Sequence, residues 1–410
     1  QRTFVGKFQQ LTGPITAKGL EDTAFYRYNR LISLNEVGGA PDRFGISVAE
    51  FHRVNAERRA AWPGSLSATA THDTKRGEDV RARLDVLSEI PREWRTRVRR
   101  WHRINRRTKA TVDGQPAPDT NEEYLLYQTL VGAWPIGSIS DAEYADFTER
   151  VQRFMFKALR EAKVNVSWIS PRPEYDDAVR QFIDAILDRS APNPFLDDFL
   201  PLQRTVARWG MFNALSQTLL KLTAPGVPDL YQGSELWDLS LVDPDNRRPV
   251  DFALRRRLLE TLDAAIRATP DLAALARVLA DALADGRAKL YLIRQALAFR
   301  RARAALFRDG DYKPIDLAGP LAEHVCAFAR TLGSEATLVL VPRLLARRGV
   351  AGPPLGRAWW GSETGALVPG GTGARFRNVL TGERIEARDG ALALGDVFAS
   401  FPVALLARED

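Results

Sequence analysis

Histidine, aspartate and lysine fall together in one short stretch. Residues 68–84, ATATHDTKRGEDVRARL, set His72 beside Asp73, follow them with Lys75 and Arg76, and then place Glu78 and Asp79. A carboxylate next to an imidazole, followed by two cations, is a set of residue types that could stand at the mouth of an active site. A plainer reading makes Asp73 the cap of a helix over Thr74–Leu84. Spacing alone leaves both open. Two more polar clusters follow short apolar runs: Lys18, Glu21 and Asp22 after GPIT, and Gln232, Gly233 and Glu235 after VPDLY.

The elements that must position these clusters can be read from periodicity. GPITAKG (Gly13–Gly19), PGSLSATATHD and VPDLYQG read as short strands bounded by turn residues, and Ala49–Ala61 reads as a helix. Strand alternating with helix predicts a parallel sheet with helical crossovers. In a β/α barrel the reacting groups sit where strands end and loops begin, which is where all three clusters fall. Beyond Asp79 the pattern is helical. Phe147, Val151, Phe154, Met155, Ala158 and Leu159 form one apolar stripe, and Val179, Phe182, Ile183, Ile186 and Leu187 form another. Val206, Trp209, Phe212, Leu215 and Leu219 line a helix over Leu202–Leu222, and a further helical region runs from Phe252 to Phe307. After Gly310 the runs HVCAFAR, ATLVLV, ARFRNV, ERIEA and FPVALLA read as strands, with LTGE and RDGA as hairpin turns and a loop-rich insertion over 347–374.

Composition narrows the function classes. The chain has 410 residues, 45% hydrophobic and 27% charged, an ordinary globular balance long enough for two or three units. No apolar run approaches the roughly 18 residues of a membrane span, and no secretory pattern opens the chain. The single cysteine, Cys326, excludes an internal disulfide and reads as a buried small hydrophobe, which fits a cytoplasmic protein. Four scattered histidines give no metal-ligand spacing, so neither metal nor cofactor is expected. The net charge is +7, and the densest basic stretch is Pro91–Lys109. There Ile90, Trp94, Val98, Trp101 and Ile104 recur at helical spacing, so the stretch reads as an amphipathic helix with a solvated basic side and not as a nucleic-acid reader.

Five long blocks then converge on one family. AKGLEDTAFYRYNRLISLNEVGG, SATATHDTKRGEDVRARL, NEEYLLYQTLVGAWP, VSWISPRPEYDDAV and PGVPDLYQGSELWDLSLVDPDNRRPVDF together resemble maltooligosyltrehalose synthases, β/α-barrel enzymes of the α-amylase superfamily. The resemblance covers nearly the whole chain and weakens only in the terminal β region. It implies the C-terminal part of a (β/α)8 barrel with a large helical insertion and a C-terminal antiparallel β-sandwich domain. Residues 1–80 would hold barrel strands six and seven, 81–204 the insertion, 205–310 strand eight with the closing helices, and 311–410 the β domain. It further implies that Asp73 is the transition-state-stabilising carboxylate and that His72, Lys75, Lys18, Glu21, Tyr26, Arg76 and Gln232 bind the maltooligosaccharide substrate.

The chemistry that the resemblance implies is intramolecular transfer. The reducing-end α-1,4 bond breaks, the freed glucose turns within the site, and an α,α-1,1 link forms. Retention needs a nucleophile and an acid/base about 5–5.5 Å apart. Neither of the family's segments for them occurs in this chain, so the expected partner is the N-terminal part of the same enzyme, and the chain alone is expected to be inactive. An amylase-like hydrolase is the rival chemistry. A non-catalytic glucan-binding piece, with Trp359 and Trp360 as its platform, is the rival of another class. Neither nucleic acid nor membrane is an expected partner.

Overall fold

A computed structural model describes residues 1–350, 352–368 and 371–409. Its strands are β1 (Leu66–Ser67), β2 (Ala110–Val112), β3 (Gln115–Ala117), β4 (Val227–Pro228), β5 (Asp311–Pro314), β6 (Leu317–Ala318), β7 (Val325–Leu332), β8 (Glu335–Pro342), β9 (Gly365–Leu367), β10 (Arg375–Asn378), β11 (Arg384–Glu386), β12 (Ala391–Ala393) and β13 (Ala404–Glu409). The chain forms two compact units, each drawn from three stretches. The first is Gln1–Phe44, His72–Gly210 and Leu239–Arg248, and the second is Gly45–Thr71, Met211–Asp238 and Pro249–Asp410.

The first unit is helical. Both expected stripes, on helices Asp141–Ala162 and Pro173–Leu187, are buried along their length. Ser140 starts the first of these helices with a capping box completed by Glu143, and Asp119 does the same with Glu122 for helix Thr120–Ala133. In an aromatic core of Trp94, Trp101, Tyr127, Phe195 and Phe199, Trp101 meets Trp94, Tyr127 and Phe195 edge to face, and Phe195 stacks on Tyr127 and Phe199. The basic stretch forms helix Pro91–Asn105. Trp94 and Trp101 are buried, and Arg92, Arg95, Arg99 and Arg103 are exposed, as the pattern predicts. Helix Glu78–Asp85 is wedged tightly in this unit. A Cβ on Gly210 would stand 2.5 Å from Cγ and 2.7 Å from Cα of Arg83, so that glycine is required for the close approach.

Two readings in this unit change. The segment read as strand GPITAKG is helical, with helix Arg2–Thr16 passing through Pro14 into a π-helix over Ala17–Ala24. Pro14 lacks an amide hydrogen, and a wide turn just after such a break is a common accommodation, often found at functional positions. Among the described residues no strand pairs with this segment. The helix expected from Thr74 begins instead at Glu78, with Gly77 at its N-cap. Residues 72–77 are loop, with a turn at His72 and Asp73, a bridge from Arg76 to Leu241 and a Gly77 N–H to Ser240 carbonyl bond of 2.8 Å.

The second unit contains the one parallel pairing among the described residues. β1 lies beside β4 in the register Leu66 to Val227 and Ser67 to Pro228. Gly226 permits it at a φ of +118°, since a Cβ there would meet Ser67 Oγ at 2.6 Å. The terminal region is antiparallel, as read. Its six-stranded sheet runs β11-β10-β13-β8-β7-β5 and its three-stranded sheet runs β12-β9-β6. The LTGE turn joins β10 to its neighbour β11. RDGA also turns tightly, with Asp389 and Gly390 both at positive φ, but it carries the chain from one sheet to the other. Of the loop-rich insertion, Ala351, Pro369 and Gly370 lie outside the described residues. Cys326 is buried in β7, as expected, and burial pushes its thiol up to about 11.

Candidate functional site

Loop 72–77 and the π-helical segment meet through one carboxylate. Asp22 accepts from Lys18 Nζ at 2.6 Å on one oxygen and from Lys75 Nζ at 2.8 Å on the other. The lysines come from segments far apart in sequence, and their surroundings differ. The Lys75 side chain is 8% exposed and that of Lys18 is 74% exposed. Burial alone would raise the Asp22 carboxyl, but the hydrogen bonds and charges of the two lysines outweigh it and hold Asp22 below its ordinary value. The hydrogen bond to Asp22 likewise raises Lys18. Lys18 is therefore held in its protonated form at neutral pH, and both ammonium groups present N–H donors of the kind that suit hydroxyl oxygens.

Two buried residues hold the loop itself. Glu36 accepts from the backbone N–H of Lys75 at 2.8 Å and from that of Val37 at 2.8 Å. Asn246 donates to the carbonyls of His72 at 3.0 Å and Thr74 at 3.5 Å. A second thread ties the other side: Thr23 Oγ1 donates to the Lys18 carbonyl at 2.8 Å and accepts from Lys163 at 3.1 Å. Glu36 and Asn246 were not among the expected site residues, and Asp22 stands in the polar cluster after GPIT without a role of its own. Each lies within one of the blocks quoted above, but which carboxylate or amide turns toward the loop is not encoded in local spacing.

His72 and Asp73 stand at the outer end of this arrangement. His72 Nε2 lies 3.2 Å from an Asp73 oxygen, and their side chains are 56% and 68% exposed, so residues of this chain do not enclose the pair. Asp73 caps no helix, which removes the plainer reading of it. Glu21 is half-buried, and its carboxylate accepts from the Gly38 N–H at 3.2 Å. Gln232 is exposed and belongs to the second unit.

Tyr26 and Arg76 are placed differently from the expectation of direct sugar contact. Both are buried, at 3% and 1% exposure. Arg76 donates to the Ile32 carbonyl at 3.2 Å and lies over the Phe154 ring at 5.8 Å. Burial lowers its guanidinium to about 10 and raises the Tyr26 phenol. Both groups are thus enclosed beneath the loop. Trp359 and Trp360 cannot form a platform either. They are 4% and 1% exposed, their rings pack 4.5 Å apart, and Trp360 Nε1 is spent on the Pro354 carbonyl at 2.8 Å.

The solved structures that resemble this one define a class of protein. Over 98% of this chain it superposes on maltooligosyltrehalose synthase from Arthrobacter ramosus with a TM-score of 0.79 at 37% identity, covering 46% of that chain. A hypothetical maltooligosyl trehalose synthase from Sulfolobus tokodaii gives 0.70 at 31% identity, with 46% of it covered. Among curated proteins the chain is 38% identical over 405 residues to a putative maltooligosyl trehalose synthase of Mycobacterium tuberculosis. It is thus homologous to maltooligosyltrehalose synthases along 98% of its own length, and it spans about half the length of these relatives, 45% of the curated one. No family model matches the chain. Among the described residues no helix is long and apolar enough to cross a membrane.

Proposed function

We propose that this chain is the C-terminal portion of a maltooligosyltrehalose synthase and furnishes the corner that grips the reducing-end sugars. The observation that carries the reading is the Lys18–Asp22–Lys75 cluster. It joins two segments that the sequence marks separately, and it gathers two charged donors on one carboxylate beside the loop that bears His72 and Asp73. In this reading Asp73 supplies negative charge to the oxocarbenium-like state, and His72 donates a hydrogen bond to the same sugar. Lys18 and Lys75 hold the hydroxyls of the freed glucose while it turns. The nucleophile and the acid/base come from the N-terminal part of the enzyme.

The parallel pair β1–β4 would be barrel strands seven and eight. Two dipeptides are far too short to stand as an isolated sheet, and parallel strands are ordinarily covered on both faces. Leu66 at 77% and Val227 at 45% exposure support further strands and cover from outside this chain. The exposure of His72 and Asp73 supports the same view of the pocket wall.

The test is product analysis on the full enzyme carrying this chain. With maltopentaose, a non-reducing pentasaccharide bearing an α,α-1,1 proton signal is expected, with reducing ends lost and free glucose a minor product. Accumulation of glucose and shorter reducing chains would instead identify a hydrolase.

A further inference from the structure

A cleft of about 750 Å³ opens in the first unit, within the size range of small-molecule sites. None of its lining residues belongs to the Lys18–Asp22–Lys75 cluster. Its floor is apolar and aromatic, formed by Leu31, Leu87, Trp94, Val98 and Tyr124, and Phe44 stands exposed among its lining residues. The polar atoms of the floor are already engaged. Trp94 Nε1 donates to Tyr124 Oη at 3.0 Å, and that hydroxyl donates to the Arg30 carbonyl at 3.1 Å.

Three exposed guanidiniums, from Arg30, Arg95 and Arg99, also line this cleft, and no Asp or Glu does. Among the described residues none of the three pairs with a carboxylate, although neighbours on the same helix do. Arg97 meets Asp198 at 2.7 Å and Arg100 meets it at 3.3 Å. Arg95 and Arg99 are spaced i, i+4, where like charges repel. Arg92 and Arg103 of the same helix are also without a carboxylate among the described residues, so what sets Arg95 and Arg99 apart is their place beside an apolar floor.

We propose that this cleft binds a phosphate-bearing small molecule with a flat or puckered ring. The ring would lie against Phe44 and the floor, and the phosphate would take fork hydrogen bonds from Arg95, Arg99 and Arg30. Guanidinium suits that geometry, since its planar donors match two phosphate oxygens at once. A hexose phosphate and a nucleoside phosphate share this chemistry. A helix face whose sequence marks it only as basic and solvated thereby gains a ligand.

Calorimetric titration of the full enzyme carrying this chain with glucose 6-phosphate, ATP and inorganic phosphate tests it. Saturable one-to-one binding is expected for at least one ring phosphate, at least ten-fold tighter than for inorganic phosphate. The tighter of the two identifies the source. Arg95→Gln with Arg99→Gln should weaken it ten-fold or more, with the helical circular dichroism unchanged because both side chains are exposed. Phe44→Ala should weaken the ring phosphate and leave inorganic phosphate unaffected. Absence of saturable binding by both ring phosphates would overturn the proposal. So would equal binding of all three anions that merely tracks ionic strength, or binding confined to a single-stranded RNA control.

Discussion

Asp22 neutralises two ammonium groups that would otherwise face each other, one of them nearly buried. Asp22→Asn keeps the shape and removes the charge. It should lower stability by about 1–3 kcal/mol, the range for leaving a largely buried polar partner unsatisfied, read as a shift of the urea midpoint at constant slope. The pH dependence follows from the directions of the shifts. Asp22 is depressed in the folded protein, so its contribution is complete above its unfolded pKa of about 4 and fades as pH falls through the lower folded value. Lys18 is raised, so its contribution is complete below about 10.4 and fades only as pH rises beyond that. Wild-type stability should therefore fall below about pH 4, and the part of that fall owed to Asp22 should be missing in Asp22→Asn. Identical acid limbs for the two proteins would deny the clamp. At this scale the sequence exposed the residue types but not their partners. Lys18, Lys75 and Asp22 were all visible as polar residues after apolar runs. That Arg76 would be buried under the loop while Lys75, its neighbour, reaches Asp22 depends on packing against Phe154 and the Ile32 carbonyl, which lie far off in the chain.

Elements were legible where burial imposes a period. The stripes on Asp141–Ala162 and Pro173–Leu187, the helix ending at Thr223 and the strands after Gly310 all follow their patterns. GPITAKG misled because its β-branched residues between glycines look extended, whereas the segment continues a helix and widens after Pro14. THDTKR misled in the opposite sense, since its charged run looks like a first helical turn but pairs with Ser240 and Leu241 as loop. Two glycines test the element geometry. Gly210→Ala must displace Arg83 backbone and side-chain atoms, and overpacking of this kind costs about 1–3 kcal/mol. Gly226→Ala meets Ser67 and adopts an unfavourable positive φ, so a loss of similar size, about 1–3 kcal/mol, is expected. Thermal or urea unfolding reads both, and Gly64→Ala, where nothing lies within 4 Å, serves as the neutral control.

On the proposed reading, the whole molecule shows its incompleteness in apolar surface. Phe4, Phe8, Leu11 and Ile15 fall on one face of helix Arg2–Thr16 and are 57–72% exposed. Contiguous exposed stripes of this kind mark surfaces that another body covers. The chain expressed by itself should therefore self-associate and show no transferase activity. Mixing it with a separate polypeptide carrying the N-terminal part should restore activity and reduce the self-association, as measured by light scattering. Activity of the lone chain would contradict the division of labour proposed for the two parts.

Asp73 offers the most direct measurement. In the full enzyme, Asp73→Ala and Asp73→Asn should each lower kcat for conversion of maltopentaose to the non-reducing product by about 10²–10³-fold or more. KM should change far less, because the carboxylate acts on charge that appears only in the transition state. A kcat within a few-fold of wild type would show that the histidine–aspartate corner takes no part in the reaction.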